Sequence, residues 1–244
     1  MDRMIYLTMS GAKAMMQRQE SLANNLANVS TTGFRAELQA FRAVPVRGDG
    51  ASTRVYALET TIGHSDAPGV ITQTGRPLDV AMQGNAWLAV QALDGTEAYT
   101  RNGAMTVGPD GMLMTHGGLL VLGDGGPIQV PENAGVSIAP DGTVSARGQD
   151  GQIVPLGRLK LVTPEQPLQR GTDGLFRTAQ GEELPADPNA RVVDGALEGS
   201  NVSAVETMVS MIAAARQFEA QMKMLQTAER NEQTAGRLLS NSAS

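Results

Sequence analysis

The sequence predicts an α+β chain, with N- and C-terminal helices forming a coiled-coil layer and a β-rich, mainly antiparallel hairpin central domain. Three observations predict it. First, residues 1–30 and 203–239 hold one Gly each and no Pro, whereas residues 31–202 hold the remaining Gly and all 12 Pro. Second, both ends carry apolar residues at alternating steps of three and four, the period of a helix with one sheltered side. Third, the middle is punctuated by Asp-Gly pairs at Asp49, Asp94, Asp110, Asp124, Asp141, Asp150, Asp173 and Asp194, with Asn102-Gly103 besides. Such pairs favour two-residue turns between paired strands. The implied boundaries are 1–35 for the first helix and its turn, 36–75 for a linker or extended segment, 76–198 for the β domain, and 199–244 for the last helix.

The first helix is read from Ile5, Met9, Ala12, Met16, Gln19, Ala23 and Leu26, a heptad seam that Met15 and Leu22 widen. Asn28-Val29-Ser30-Thr31-Thr32-Gly33 ends it, Gly33 being free to take positive φ. In the middle, runs such as Trp87-Leu88-Ala89-Val90-Gln91, Leu119-Leu120-Val121-Leu122 and Leu159-Lys160-Leu161-Val162 are short and largely apolar, as strands buried in a small β domain would be. Ser203 followed by Glu206 predicts a capping box opening the last helix. Met208, Met211, Ala215, Phe218, Met222 and Leu225 then continue at helical spacing. A helix over 203–239 would be about 55 Å long, a length that suits a coiled coil better than a compact domain.

A narrow apolar seam must be buried against another helix. The simplest partner is the other end of the same chain. Yet many seam positions are Ala or Met, which bury little or specify weakly. The helix pair is therefore expected to be marginal in a free subunit and to order fully only among packed copies.

Composition narrows the function. A net charge of −6 argues against a general nucleic-acid surface. With no Cys, disulfide and thiolate chemistry are excluded. No apolar run reaches the ~18 residues of a membrane helix. Helical patterning runs through the small-x-small site at Ala12-Lys13-Ala14, so a cleaved signal peptide is not expected. His64 and His116 stand in separate turn-rich segments and read as loop or strand-edge residues rather than metal ligands. The Asp-Gly pairs lack the alternating ligands of a calcium loop. Neither a phosphate-binding loop nor a nucleophile elbow is present. No catalytic residue, metal site or cofactor is expected.

Several motifs resemble those of the flagellar rod and hook protein family. Ser21-Leu22-Ala23-Asn24-Asn25-Leu26-Ala27-Asn28-Val29-Ser30-Thr31-Thr32-Gly33-Phe34 is similar to its N-terminal signature. Leu197-Glu198-Gly199-Ser200-Asn201-Val202, with Met208-Val209-Ser210-Met211-Ile212 and Arg216-Gln217-Phe218-Glu219, resembles its C-terminal one. Between them, Thr74-Gly75-Arg76-Pro77-Leu78-Asp79-Val80-Ala81 and Tyr99-Thr100-Arg101-Asn102-Gly103 also match. Ala40-Phe41-Arg42-Ala43-Val44-Pro45-Val46 and Ala86-Trp87-Leu88 lean toward the proximal rod branch.

The resemblance implies a structural subunit of the flagellar basal-body rod, with terminal helices forming an inner layer and the β domain outside it. It implies partners among other proximal and distal rod subunits, copies of itself, and the flagellar type III export apparatus in transit. It places the protein in the rod as it crosses the periplasm. Ile5, Met9, Ala12, Met16, Leu22, Ala23, Asn24, Asn25, Leu26, Asn28, Phe34, Met208, Met211, Ala215, Phe218, Met222 and Leu225 are the candidate interface residues. For Asn24, Asn25 and Asn28, two readings stand: helix-end capping and turn formation, or hydrogen bonds between packed helices that fix register. A distal rod or hook-type protein, and a cell-wall hydrolase built on the β domain, are the alternatives; the hydrolase lacks a convincing carboxylate pair.

Overall fold

A computed structural model describes residues 2–45, 55–132, 134–148 and 151–241. Helix α1 spans Asp2–Ala27. It is followed by β1 (Glu37–Pro45), β2 (Val55–His64), β3 (Ile71–Gln73), β4 (Val80–Met82), β5 (Trp87–Gln91) and β6 (Glu97–Thr100). Next come β7 (Met105–Val107), β8 (Leu113–Thr115), β9 (Leu120–Gly123), β10 (Gly126–Pro127), β11 (Gly135–Ile138) and β12 (Thr143–Arg147). The chain continues through β13 (Ile153–Arg158), β14 (Leu161–Val162), β15 (Gln169–Arg170), β16 (Phe176–Arg177), β17 (Val192–Asp194) and β18 (Ala196–Glu198) to helix α2 (Ala204–Asn241). Two helices around a run of antiparallel strands make the chain α+β. It divides into two units, residues 1–27, 37–63 and 203–244 in one and residues 28–36 and 64–202 in the other.

The first unit holds α1, α2 and the two-stranded β1–β2 sheet. The segment read as linker thus contains paired strands. At the start of α2 the Glu206 amide donates to Ser203 Oγ (3.4 Å), the forward arm of the expected cap. Helices α1 and α2 contact one another. Among the described side chains of α1 the buried ones are Thr8, Ala14, Ser21 and Asn25, not Met9 or Met16. Small side chains let a neighbouring backbone come close, which sets a short interaxial distance. Gly11 belongs to the same stripe: a Cβ there would meet the Gln221 side chain of α2 at 3.2 Å.

In the second unit the largest sheet runs β15-β16-β6-β5-β9-β8-β7, with β14 also paired to β5 and β10 to β9. Strand β5 sits at its centre. Leu88 and Val90 enter one apolar cluster with Val80, Met105, Leu113, Val121, Val144 and Leu161. Trp87 and Ala89 point the other way, into a second cluster with Tyr99, Val162, Leu168 and Phe176. Because successive side chains leave opposite faces, a strand covered on both must be apolar throughout. That accounts for the unbroken Trp87-Leu88-Ala89-Val90 run. Strands β11, β12 and β13 form a separate antiparallel sheet, while β17 pairs with β4 and β18 with β3.

Asp124-Gly125 is a two-residue turn as expected, joining β9 to β10 with Gly126 opposite Gly123, but other Asp-Gly turns are longer. At 92–96, 108–112, 139–143 and 171–175, the first amide donates to the fifth carbonyl and the fourth amide to the first carbonyl. These are three-residue loops, a type I turn followed by a left-handed residue. Gly fills that last position, as Gly95 does at φ 83. In three of them the preceding Asp accepts the next amide but one: Asp94 from Thr96 (2.9 Å), Asp141 from Thr143 (3.0 Å) and Asp173 from Leu175 (3.1 Å). A carboxylate that caps its own turn selects this geometry over the tighter hairpin. Asp49 and Asp150 lie outside the described residues.

Asn102-Gly103 is not a hairpin tip. Gly103 lies against β4, where its carbonyl accepts the Val80 amide (3.0 Å) and a Cβ would overlap the Val80 carbonyl oxygen. Gly95, with its positive φ, has open space around it. Gly103→Ala is therefore expected to destabilise the chain more than Gly95→Ala does. The former meets an overpacking cost of about 1–3 kcal/mol or more; the latter meets about 1–2 kcal/mol of left-handed backbone strain. Urea unfolding midpoints of the two variants check the order.

Candidate interface and the Glu198 junction

The seam residues proposed for α1 divide sharply. Met9 and Met16 are 55% and 52% exposed, and Ala23 and Asn24 are also exposed. Ala12, Leu22, Leu26 and Asn28 are half-buried. The side chain of Ile5 lies outside the described residues. On α2, Met211, Ala215, Phe218, Met222 and Leu225 are half-buried, flanking the buried Ala214, whereas Met208 is exposed. Exposed apolar side chains on the opening turns of α2 form a second stripe of Val205, Met208, Val209 and Ile212. Their offsets of three, four and seven place them on one helix face.

Three candidates have duties inside the chain. Asn25 donates through Nδ2 to the Glu37 carbonyl (3.0 Å) and accepts the Glu37 amide on Oδ1 (2.8 Å). It joins α1 to the first residue of β1, not to another helix. Asn28 forms the turn after α1: its carbonyl accepts the Thr31 amide (3.1 Å) and its Oδ1 accepts the Thr31 hydroxyl (3.1 Å). Phe34, expected at an interface, is buried in its own unit under the Arg170 guanidinium, 4.4 Å from the ring centroid. A cation over an aromatic face is favourable when water is excluded, so Phe34 is taken up internally.

Phe34 belongs to a junction that sequence spacing did not reveal. Three passages of chain cross there, residues 33–36, 65–69 and 198–201. Glu198, only 1% exposed, is its centre. Its Oε1 accepts Arg35 Nη2 (2.8 Å) and the Gly69 amide (2.8 Å). Its Oε2 accepts Arg101 Nε (2.8 Å) and Nη2 (2.5 Å). Arg101 also donates to the carbonyls of Met82 (3.1 Å), Gly84 (3.0 Å) and Ala86. Arg35 Nη1 donates to the Ala67 carbonyl. Burial lowers the Arg35 pKa, Glu198 raises it, and the charge of Arg101 lowers it again.

Backbone and amide bonds complete the crossing. Glu198 O accepts the Gly33 amide (2.7 Å), and a Cβ on Gly33 would collide with the Arg101 carbonyl. Asn201 Oδ1 accepts the Ala36 amide (2.7 Å), while its Nδ2 donates to the carbonyls of Ser65 (3.1 Å) and Ala67 (2.8 Å). Nearby, Thr74 donates its hydroxyl to Asp79 Oδ2 (2.7 Å), and Gly195 O accepts the Thr74 amide (2.8 Å). The motifs around Gly33, Arg101 and Glu198 thus meet in one polar core, though they stand far apart in sequence.

Removing one partner from such a cluster leaves uncompensated buried charge, at about 3–5 kcal/mol. Glu198→Gln, which strands two guanidiniums, is expected to lower stability by that order. Arg177→Gln, which removes a partner from the part-exposed Asp173 at 2.8 Å, should change it by about 1 kcal/mol or less. Denaturant unfolding of both variants checks the contrast.

Comparison with known proteins agrees with these motifs. Residues 5–35 match the family described as flagella basal body rod protein, and residues 81–146 the flagellar hook protein FlgE/F/G D1 domain. Residues 193–238 match the flagellar basal body rod FlgEFG protein C-terminal family. The chain is 50% identical to the flagellar basal-body rod protein FlgF of Salmonella typhimurium over 99% of its own length and 100% of that protein. It is 48% identical to FlgF of Escherichia coli with the same coverage. To the rod protein FlgG of Agrobacterium fabrum it is 31% identical, over 93% of this chain and 95% of that protein. The chain belongs to the FlgF family of flagellar basal-body rod proteins.

Proposed function

We propose that this structural rod subunit is one element of a hollow tubular drive shaft for motility, assembled through its terminal helices. Membership of a rod family makes it a structural component of the basal body rather than an enzyme, with other rod proteins as its neighbours. The observation that carries the assembly reading is the apolar surface left over on both helices: Met9 and Met16 on α1, and Val205, Met208, Val209 and Ile212 on α2. They are exposed in the subunit and so remain available to adjacent ones. Flexible Met side chains tolerate neighbours that are not identical. In a helical tube such contacts are heterologous, one patch meeting a different one. In this reading the α1–α2 pair is the coiled-coil inner layer of the rod where it crosses the periplasm. The subunit reaches it through the flagellar type III export apparatus.

Val209→Asp and Ile212→Asp test the proposal. Both residues are largely exposed, at 61% and 55%, so each change should alter the stability of the isolated subunit by about 0.5 kcal/mol or less. Rod assembly and swimming should nonetheless be lost. Motile cells with normal basal bodies would contradict the reading. Coupled ordering makes a second prediction: helical circular dichroism per residue should rise when dilute subunits assemble, since a long helix without its tertiary partners is marginal in water. An unchanged signal counts against it.

A further inference from the structure

We infer that His64 is a proton-sensitive pin at the Glu198 crossing, sealing an aromatic cluster when neutral and loosening residues 64–69 when charged. The geometry sets it apart from an exposed histidine. Its side chain is 4% exposed. The imidazole meets the Phe176 ring at 4.6 Å and 65°, and the Trp87 ring at 5.9 Å and 86°. Trp87 and Phe176 are themselves 4.6 Å apart. His64 thus closes the second apolar cluster of the β domain at the point where β2 ends. The next residues enter the crossing: the Ser65 amide donates to Ala36 O (2.8 Å), the Ser65 and Ala67 carbonyls accept Asn201, and the Gly69 amide donates to Glu198.

The charged groups around this ring come from several elements. Asp66 Oδ1, just beyond β2, lies 3.1 Å from His64 Nε2, but its side chain is 68% exposed and water screens it. Arg35, in the 33–36 passage, is near enough for its charge to act on the ring. Arg170, at the end of β15, stacks on Phe34 and lies 5.9 Å from the Phe176 centroid. Arg101 lies 6.0 Å from the Trp87 centroid, and Glu198 is already engaged by Arg35 and Arg101. A proton on His64 would therefore add a cation to a site rich in guanidinium. Burial lowers the His64 pKa below 6.5, Asp66 raises it, and Arg35 and Arg170 lower it again.

The direction of the effect follows. With its folded pKa below the unfolded value of 6.5, the ring binds fewer protons folded than unfolded across the interval between them. Stability therefore rises with pH in that window. The contribution of the neutral ring is complete above 6.5 and is lost as pH falls through the folded value. This inference does not depend on the assembly reading; it concerns the free subunit as well.

The chain carries two histidines and one tryptophan, which makes the test direct. Imidazole proton resonances of the full chain are followed against pH, with His116→Gln, an exposed position, assigning the two signals. Trp87 fluorescence is recorded over the same range. The inference requires His64 to titrate below 6.5 and Trp87 emission to change with the same midpoint. It further requires the urea midpoint to fall between pH 7 and pH 5 in the unsubstituted chain, with that fall reduced in His64→Gln. A His64 midpoint at or above 6.5 overturns it. So does a Trp87 signal indifferent to that midpoint, or an undiminished pH loss in His64→Gln. Should His64→Gln fail to fold, the two titrations of the unsubstituted chain decide.

Discussion

One buried carboxylate between two guanidiniums organises the second unit. Glu198 accepts Arg35 on one oxygen and Arg101 on the other, and each Arg continues to backbone carbonyls. Arg101 alone collects the ends of β4 and the turn after it, through Met82, Gly84 and Ala86. The planar fork of Arg suits this task, because it aims several donors in fixed directions, which a Lys ammonium cannot do. Buried ions need partners on every side to offset lost hydration. The required partners are distant in sequence, so forming the network also fixes how residues 33–36, 65–69 and 198–201 cross. Gly33, Gly103 and Asn201 are then constrained as well: the first two by close backbone approach, the third by its three amide contacts.

The first unit follows a different logic. Among the described side chains, its helices bury Thr8, Ala14 and Ser21 on α1 and Thr207 and Ala214 on α2, all of small area. Specific polar bonds such as Asn25 to Glu37 add to this modest packing. Met9, Met16 and Met208 stay exposed, while Met211, Phe218 and Met222 are half-buried, so much of the apolar surface of these helices is open to water. The β domain has the opposite character: β5 is buried on both faces, and rigid hairpins capped by their own Asp carboxylates surround it.

His64 lies where these constraints meet within the second unit, between an aromatic cluster and a group of guanidiniums. Its neighbours explain why a residue that reads as a loop histidine in the sequence is almost fully enclosed. Trp87 and Phe176 supply apolar contact, while the exposed Asp66 offers a weak counter-charge.

Periodicity and punctuation were sufficient for the coarse architecture. The Gly- and Pro-poor ends became α1 and α2, because a helix depends on residues within four positions of one another. Asp124-Gly125 makes the two-residue hairpin expected of it, whereas at Asp94, Asp141 and Asp173 an extra left-handed residue enters the loop, with the Asp side chain bonding its own turn. Asn102-Gly103 looked like another turn because the same dipeptide serves a close approach to Val80. On α1 the seam Met9–Met16 was legible as apolar, yet packing chose the stripe through Ala14 and Ser21. What the sequence by itself determined was the α+β class, the helical ends and the family motifs, all written in local spacing or in whole motifs. Only tertiary structure decided that Arg35, Arg101 and Glu198 share one site and which helix face turns inward. Charge pairing and close packing act across the fold, between residues whose separation along the chain carries no sign of their meeting.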